Sequence, residues 1–568
     1  MAEESIRNRN LGEVYTPSHV VKLLFDITNR YIPNFNKSHT VWDCCWGTGN
    51  LTAPFEFEDL FCSTLRKIDI RKNRNKNKNA VKFDYDFLES DVEQLVSRQA
   101  MWVGEHELPD ELVDRLNGNK PFIFYINPPY VSTGVMGANE EGRNEETTSS
   151  KVKEIMKEHG MGAACNQLYA QFLYKILLIK EAYENKNISI ALIASPMFLA
   201  GASYRKFREK IFANFKFEGG AIFKASHFEG LSDTWGIAIM IMTPGITENR
   251  KSFMLEVYEG DKEGNLVKTG IKEVYNLDGE EIAINWVRRD VLHLSTTTGL
   301  VMSSGCRIKE GEVAQIPENS YGALFYNANN VYHNMQEVGI LSSAYSGNSW
   351  VPITDKNFDD CISFFIARRC FGANEDDWLN DKDEYAVPDT ECLAYRELVD
   401  NGYIYALFDT ASGQSSLEVD AGGDIVRIRN HLFFMEYNEV LKIAQENGVE
   451  LRGTDDISQR ILVGKIKEAM GRGLLWKDTL EMLDELKKIF VDTMKYRKEF
   501  DTKNPEYQVM NWDAGFYQIK QILKDIDRDR FRKFNSEKNM IRDKFRHLVY
   551  ECGYLRGQRV YNIPAIQN

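Results

Sequence analysis

The chain has 568 residues and a formal net charge of −14, with 70 basic and 84 acidic side chains. Its hydrophobic content of 43% suffices for packed cores, and its length favours two or three domains over a single one. An acidic balance of this size argues against simple nucleic-acid binding, unless the basic residues are concentrated locally.

Cysteine spacing and hydropathy bear on where the protein works. The nine cysteines are scattered without a Cys-x-x-Cys spacing, which argues against a zinc site or a disulfide framework and for a reducing compartment. The N-terminus carries no apolar segment of the secretory type. The longest apolar stretch, 188–202, contains Ser195 and Pro196 and is too short to span a bilayer. We expect a cytoplasmic protein without a metal site or a membrane partner.

The first predicted element is a helix that follows Tyr15-Thr16-Pro17. Apolar residues recur at helical spacing from Val20 onward. Thr16 suits the N-cap and Pro17 the first helical position. Taken alone, this pattern indicates only a capped amphipathic helix.

A short strand over 40–43 ends in Asp43, and a turn with Gly47 and Gly49 then opens the next helix. Glycines at such a turn let the backbone approach a ligand closely. The third glycine of the dinucleotide fingerprint is absent, and so is the Gly-Lys-Ser/Thr of a P-loop. A carboxylate before the glycines suits a cationic or amine-bearing ligand better than a phosphate.

The second predicted strand, 60–65, is followed by Asp69 and a basic run. An acid after the second strand of a doubly wound sheet is placed to bind a ribose diol, which makes Asp69 a candidate. Eight basic residues lie between Arg66 and Lys82, with Asp69 as the one acid among them. A solvated loop is the commoner explanation of such a run, and a phosphate-contacting patch is the alternative.

The third predicted strand, 81–88, ends in Asp86-Phe87-Leu88. An acid beside an aromatic at a strand end can accept a hydrogen bond from an adenine amine and pack on its ring. A surface acid next to a core phenylalanine explains the same pattern equally well. A helical stretch over about 91–116 then leads into the next strand.

The run 122–126 predicts a buried strand that Asn127-Pro128-Pro129-Tyr130 terminates, since neither proline can donate to the sheet ladder. Open α/β sheets bind ligands at the carboxyl ends of their strands. The Asn127 side chain and the Pro128 carbonyl can accept hydrogen bonds from one exocyclic amine. Tyr130 can then stack on a planar base. The alternative is a strand that simply ends in a proline-rich turn.

The remaining chain divides into regions that differ in composition and hydrophobic pattern. A long polar segment over 131–164 is typical of a lid or binding loop. Helices over 166–183 and 204–215 then alternate with strands over 188–194, 219–223 and 235–242, which predicts a doubly wound α/β domain over 1–245. We further predict a β-rich extension over 246–290, a mixed domain over 291–430 and a mostly helical region over 431–568.

The C-terminal end is locally basic. Twelve Lys and Arg residues stand against six acidic residues in 515–568, interleaved with Phe531, Phe534 and Phe545. Basic residues and aromatics along a helix fit phosphate contact, and an ordinary helix with a charged outer face fits equally well.

These motifs together resemble the S-adenosylmethionine-dependent DNA N6-adenine methyltransferases. The motif order Tyr15-Thr16-Pro17, Asp43 with Gly47-x-Gly49, Asp86-Phe87-Leu88 and Asn127-Pro128-Pro129-Tyr130 is similar to that of their gamma class. The resemblance covers about residues 10–245. It implies a class I methyltransferase fold with a mostly parallel seven-stranded sheet, followed by a C-terminal target-recognition region.

The resemblance also implies roles for single residues. Tyr15, Thr16 and Pro17 would pack against the methionine moiety of the cofactor, and Asp43, Gly47 and Gly49 would form the loop that binds it. Asp69 would bind the ribose, although Ser63-Thr64-Leu65 stands where many members place an acid directly. Asp86 and Phe87 would hold the cofactor adenine. Asn127, Pro128, Pro129 and Tyr130 would hold a flipped target adenine, with Phe228, or alternatively Phe223, stacking on its other face.

The implied activity is site-specific methylation of an adenine amine in double-stranded DNA, in a restriction-modification, phage or orphan setting. The implied cofactor is S-adenosylmethionine, and a specificity or restriction subunit is an expected partner. Two alternatives stay open, a modification subunit that needs a separate specificity partner and an N-methyltransferase of RNA or protein amides. The chain contains no Pro-Cys, which a C5-cytosine enzyme would typically use.

Overall fold

The computed structural model describes residues 15–97, 107–129, 149–291, 294–303, 307–331, 337–347, 349–371, 375–409, 412–420, 425–449, 460–496 and 512–556. The chain forms two compact units. The first contains the residues up to Leu277 together with the separate segment Glu375–Asp383. The second contains Asp278–Asn374 and Glu384–Arg556.

The first unit is built around one large sheet. Its strands are β1 (Thr40–Asp43), β2 (Leu60–Thr64), β3 (Val81–Asp84), β4 (Phe122–Ile126), β5 (Ile188–Ala194), β6 (Phe215–Lys224), β7 (Gly236–Pro244), β8 (Ser252–Gly260) and β9 (Leu266–Tyr275).

The strand order is β3-β2-β1-β4-β5-β7-β6-β8-β9. β1 to β5 run parallel to one another, and β7 pairs antiparallel with both β5 and β6. The sheet has nine strands rather than the predicted seven. The hairpin β8–β9, which the sequence analysis assigned to a separate extension, adds two strands to the same sheet because β8 pairs with β6.

Both faces of this sheet are covered, as the continuous apolar runs predicted. In β4, Phe122, Phe124 and Ile126 pack into the core on one face, while Ile123 and Tyr125 pack into the core on the other. Alternate side chains of a strand point to opposite faces, so a strand buried on both sides must be apolar throughout. The predicted doubly wound α/β architecture is confirmed for this unit.

The helices of the first unit cover the two faces. They are α1 (Ser18–Tyr31), α2 (Phe35–Ser38), α3 (Lys67–Lys72), α4 (Val92–Ser97), α5 (Asp110–Asn117), α6 (Lys151–Glu158), α7 (Leu168–Ala182), α8 (Met197–Ala200) and α9 (Arg205–Phe212). The described residues of the helix predicted over 91–116 include two separate helices, α4 and α5, and Pro109 occupies the N-cap position of α5. Pro17, not Thr16, occupies the N-cap position of α1.

The second unit combines small sheets with a helical layer. Its strands are β10 (Thr296–Ser303), β11 (Arg307–Pro317), β12 (Gly322–Tyr326), β13 (Val338–Leu341), β14 (Ala344–Tyr345), β15 (Trp350–Ile353), β16 (Ser412–Gly413), β17 (Leu417–Asp420) and β18 (Ile425–Ile428). Its helices are α10 (Ala283–Arg288), α11 (Phe358–Cys370), α12 (Leu393–Phe408), α13 (Tyr437–Glu446), α14 (Ile461–Arg472), α15 (Lys477–Met494), α16 (Phe516–Ile526) and α17 (Arg528–Glu551). One continuous apolar core joins these helices to β12, β13 and β15.

The long helix α17 accounts for the basic and aromatic pattern at the C-terminal end. Phe534 and Phe545 are buried in the core of the second unit, so they are packing residues. Arg530 forms ion pairs of 2.6 Å with both Glu485 and Asp492. Part of the positive charge that suggested phosphate contact is therefore neutralised within the chain.

Among the helices of the described ranges, none is both long and apolar enough to cross a membrane. The same residues include no cluster of three or more His, Cys, Asp or Glu side chains arranged to hold a metal ion.

Candidate functional site

A cavity of about 310 Å³ opens at the carboxyl ends of β1, β2, β3 and β4. The strand order reverses between β1 and β4, because the chain continues outward through β2 and β3 on one side and through β5 on the other. Ligands of open α/β sheets bind in the crevice outside the strand ends at such a switch point. The cavity therefore lies where the fold favours a ligand site.

One wall of the cavity is the glycine loop, which we define as residues 44–52. Gly47 and Gly49 both have left-handed backbone angles, with φ of 47° and 74°. A Cβ on Gly49 would lie 2.7 Å from ring atoms of Trp46, which itself lines the cavity. Glycine is thus needed at position 49 for the backbone angle and for the close approach of the indole ring. Gly47 lines the cavity directly.

Asp43 lies beneath the glycine loop and does not line the cavity. Its carboxyl is fully buried, and its Oδ1 accepts a hydrogen bond of 3.1 Å from the backbone N–H of Cys45. Its Oδ2 is buried without a hydrogen-bond partner in the described part of the chain. Burial raises the pKa of the Asp43 carboxyl to about 8, and the Cys45 hydrogen bond acts in the opposite direction. The geometry supports a role in shaping the loop.

The opposite wall carries Asp86 and Phe87, which line the cavity as predicted from the strand end. Asp86 accepts hydrogen bonds from the backbone N–H groups of Leu88 and Glu89, at 3.0 and 3.2 Å. The Phe87 ring stacks on Phe172 with centroids 5.0 Å apart and planes 11° apart.

Phe172 and Glu89 also line the cavity. The sequence pattern predicts only that Phe172 lies in a helix, and it does not single out Glu89. Phe172 shares one face of α7 with Leu168 and Gln171, at spacings of three and four residues, and all three line the cavity. That spacing predicts a common face, but nothing local to the helix predicts what the face meets.

Asn127 and Thr16 meet at the cavity. The Asn127 side-chain nitrogen Nδ2 donates a hydrogen bond of 2.8 Å to the Thr16 hydroxyl, across 111 positions of the chain. Tyr15, Pro128 and Pro129 line the cavity beside them. An amide nitrogen only donates, so the acceptor of the Asn127 side chain is its carbonyl oxygen, Oδ1. The sequence placed these two residues in separate ligand subsites, and the structure joins them.

Asp69 lies in α3, outside the cavity lining. Its carboxylate Oδ2 accepts from the Arg66 Nε at 2.9 Å, and it is Arg66 that lines the cavity, together with Thr64 and Leu65 from the end of β2. Asp69, the acid expected to bind the ribose, therefore balances the charge of Arg66, and it is the Arg66 cation that faces the cavity. Asp69 reaches the cavity only through Arg66.

The proposed stacking aromatics lie in the apolar core. Phe228 and its alternative Phe223 are fully buried, with ring centroids 6.3 Å apart, and neither lines the cavity. Pro17 is half-buried and also lies outside the lining. Tyr130 falls outside the described residues.

Two cysteines at the cavity and one lysine of α7 have pKa values that burial shifts. Cys44 and Cys45 line it, and burial raises the pKa of both thiols. Lys175 of α7 is fully buried and its ammonium donates to the Ser90 carbonyl. Burial lowers the pKa of Lys175 to about 7, against the attraction of Asp91 and Asp86.

Neither a protein-family model nor a curated protein matches this chain. Solved structures give distant likenesses. The DNA-bound ATP-dependent type ISP restriction-modification enzyme LlaBIII is 9% identical with a TM-score of 0.36, over 96% of this chain and 47% of that one. The methyltransferase subunit of a type I restriction-modification system from Streptococcus thermophilus is 15% identical with a TM-score of 0.29, over 45% and 50%. The DrdV–DNA complex is 14% identical with a TM-score of 0.30, over 44% and 28%.

This chain thus spans half or less of the length of each of these three proteins. The TM-scores are too low for these likenesses to say anything further about the chain.

Proposed function

We propose that this chain is an S-adenosylmethionine-dependent DNA methyltransferase that modifies the exocyclic amine of adenine. The observation that carries the proposal is the hydrogen bond between Asn127 and Thr16 at the cavity. It fixes the orientation of the Asn127 amide, whose carbonyl oxygen and the backbone carbonyl of the next residue, Pro128, follow the end of β4. Two oxygens placed in this way suit the two N–H groups of one planar amine.

The chemistry of adenine explains why such acceptors matter. The lone pair of its amine is delocalised into the ring, so the nitrogen is a poor nucleophile. Asn127 Oδ1 and the Pro128 carbonyl, by accepting both N–H groups, would favour a pyramidal nitrogen with a localised lone pair. This contribution is positioning and electrostatic stabilisation, with no covalent intermediate on the protein. In a duplex the adenine would have to leave the base stack to reach the cavity.

The remaining lining fits the methyl donor. When bound, S-adenosylmethionine supplies an electrophilic methyl group on a sulfonium. The glycine loop would hold its methionine part, because Gly47 allows close backbone approach. Phe87 and Phe172 would pack on its adenine, and the Asp86 carboxylate would accept from its polar groups. Glu89, also in the lining, adds a second carboxylate to the side of the cavity that would face a cationic ligand.

The thiols at the cavity do not suit a covalent route. Cys44 and Cys45 line the cavity, and burial raises the pKa of both thiols, which keeps them protonated. A protonated thiol is a poor nucleophile, so transfer through a cysteine adduct is disfavoured. Direct transfer to an amine remains the reaction that the lining supports.

A single-chain assay tests the proposal. The purified full-length protein is incubated with S-adenosylmethionine carrying a labelled methyl group and with genomic DNA, RNA or a protein mixture. Digestion and mass spectrometry then identify the methylated product. We expect N6-methyladenine in DNA, and none with Asn127→Ala. Label found only in RNA or protein would refute the choice of substrate.

A second candidate is a modification subunit that needs a separate specificity partner. The ion pairs that neutralise Arg530 within the second unit favour it, because they withdraw a cation of α17 from contact with phosphates. This candidate predicts that the chain alone binds S-adenosylmethionine with normal affinity but methylates DNA only when a partner is added.

A further inference from the structure

The basic run after β2 makes a specific contact with the glycine loop. In the segment between α3 and β3, the side chains of Arg74, Asn75, Lys78 and Asn79 are exposed, as expected for a solvated loop. Lys76 and Asn77 differ from their neighbours because their side chains are half-buried and turn toward the loop. The pattern therefore contains two residues whose role neither a solvated loop nor a phosphate patch explains.

Four hydrogen bonds join the two segments. The Lys76 ammonium donates to the Thr48 carbonyl at 2.7 Å and to the Asn50 side-chain oxygen at 2.8 Å. The Asn77 Nδ2 donates to the Thr52 carbonyl at 3.0 Å. In return, the Thr52 hydroxyl donates to Asn77 Oδ1, also at 3.0 Å. The contact therefore reaches from Thr48, in the middle of the glycine loop, to Thr52 at its end.

The loop needs support of this kind. Two of its residues, Gly47 and Gly49, hold left-handed backbone angles, and glycine loses more conformational freedom on ordering than any other residue. Hydrogen bonds from a charged donor are about twice as strong as neutral ones. Thr48 and Asn50, the two acceptors of Lys76, both line the cavity. A shift of the Lys76 ammonium would therefore be felt directly by a ligand there.

We propose that Lys76 and Asn77 are positioning residues that set the affinity for the methyl donor by holding the glycine loop in its binding shape. The assignment rests on the function proposed above. Neither residue lines the cavity, so each acts through the loop. Methyl-donor affinity is then controlled from a part of the chain that lies outside the cavity.

The test uses matched pairs of variants in the full-length protein. Lys76→Met removes the two charge-assisted bonds, and Lys78→Met removes the same charge from an exposed position two residues later. Asn77→Gly removes the amide but tolerates the left-handed backbone angle of 46°, and Asn75→Gly is its exposed control. Titration calorimetry measures the Kd for S-adenosylmethionine, and methylation at saturating S-adenosylmethionine measures kcat.

We expect Lys76→Met and Asn77→Gly each to raise the Kd at least about fivefold, while kcat stays within about twofold and both controls match wild type. Lys76→Arg, which keeps a cation and several donors, should recover part of the affinity. A uniform loss of stability would not produce this separation of Kd from kcat.

Two results would overturn the assignment while leaving the proposed function intact. One is wild-type affinity in both Lys76→Met and Asn77→Gly. The other is an equal loss in Lys78→Met, which would trace the effect to net charge and not to the loop contact. A wild-type protein that binds no S-adenosylmethionine would instead overturn the proposed function, and this assignment with it.

Discussion

Replacing Gly49 by alanine should separate backbone strain from distortion of the cavity. The added Cβ would lie 2.7 Å from the Trp46 ring, so the indole would have to move by about 0.7 Å to restore ordinary van der Waals distance. A left-handed backbone angle in a residue with a Cβ costs roughly 1–2 kcal/mol in addition. Trp46 lines the cavity, and Lys82 lies 5.6 Å from its ring centroid. Any displacement of the indole therefore changes the wall of the cavity.

The chain offers a control with the strain but without the clash. Gly264, in the turn between β8 and β9, has a φ of 84°, and a Cβ there would meet no atom within 4 Å. Gly264→Ala should lower the free energy of unfolding by about 1–2 kcal/mol and leave ligand affinity unchanged. Gly49→Ala should lower the free energy of unfolding by at least as much.

Gly49→Ala should also raise the Kd for S-adenosylmethionine at least about tenfold, which corresponds to about 1.4 kcal/mol. Titration calorimetry gives the Kd, and denaturant titration gives the free energy of unfolding. A Gly49→Ala protein that loses stability as Gly264→Ala does, but binds S-adenosylmethionine with the wild-type Kd, would contradict this expectation. In that case the Trp46 ring does not transmit the substitution to the ligand.

Substitutions at three further positions, Asn127, Thr16 and Asp43, probe the cavity and the glycine loop. Asn127→Ala should lower the rate of methyl transfer, measured in single-turnover assays, by about a hundredfold or more. Its Kd for S-adenosylmethionine, measured by calorimetry, should stay within about twofold of the wild-type value. Thr16→Val removes the hydroxyl that orients Asn127 and should lower the transfer rate about fivefold to tenfold, with Thr16→Ser as the control that keeps it. Asp43→Asn keeps an acceptor for the Cys45 N–H and should preserve affinity, whereas Asp43→Ala should weaken it. Folding raises the pKa of Asp43 from 3.8 to about 8, so its contribution to the free energy of unfolding falls as pH rises between these two values. The asparagine in Asp43→Asn does not titrate. In denaturant titrations, the stability of Asp43→Asn relative to wild type should therefore grow toward about pH 8 and then level off.

Local sequence patterns predicted where the strands lie better than where they end, since β3 ends at Asp84 and not at residue 88, and β6 spans Phe215–Lys224 and not 219–223. The apolar run over 188–194 is β5 without a residue of difference, because a strand buried on both faces is apolar at nearly every position, with Ser189 as the exception here. Asp86 and Phe87, predicted at the end of one strand, and Asn127, predicted directly after another, all line the cavity.

The missed features depend on contacts between distant segments. Nothing near Thr16 in the sequence indicates that its hydroxyl accepts from Asn127, and the helix-cap pattern at Thr16 favoured another partner. The interleaved aromatics of α17 suggested nucleic acid, yet the same spacing serves core packing equally well, and Phe534 and Phe545 are buried. Periodicity identifies a face of a helix, but the tertiary fold decides what covers that face.

The segment Glu375–Asp383 has a consequence for the order of events during protein synthesis. It belongs to the first unit, where Asp383 forms a fully buried ion pair of 2.5 Å with Lys272 and Trp378 joins the apolar core. Until Asp383 has left the ribosome, Lys272 lacks this counter-charge, and breaking such a pair costs about 3–5 kcal/mol. Roughly a hundred residues separate Leu277 from Asp383, which at about 5–20 residues per second is a delay on the order of 5–20 s. During that interval Lys272 lacks the group that balances its charge in the folded sheet, and the apolar core of the first unit lacks Trp378.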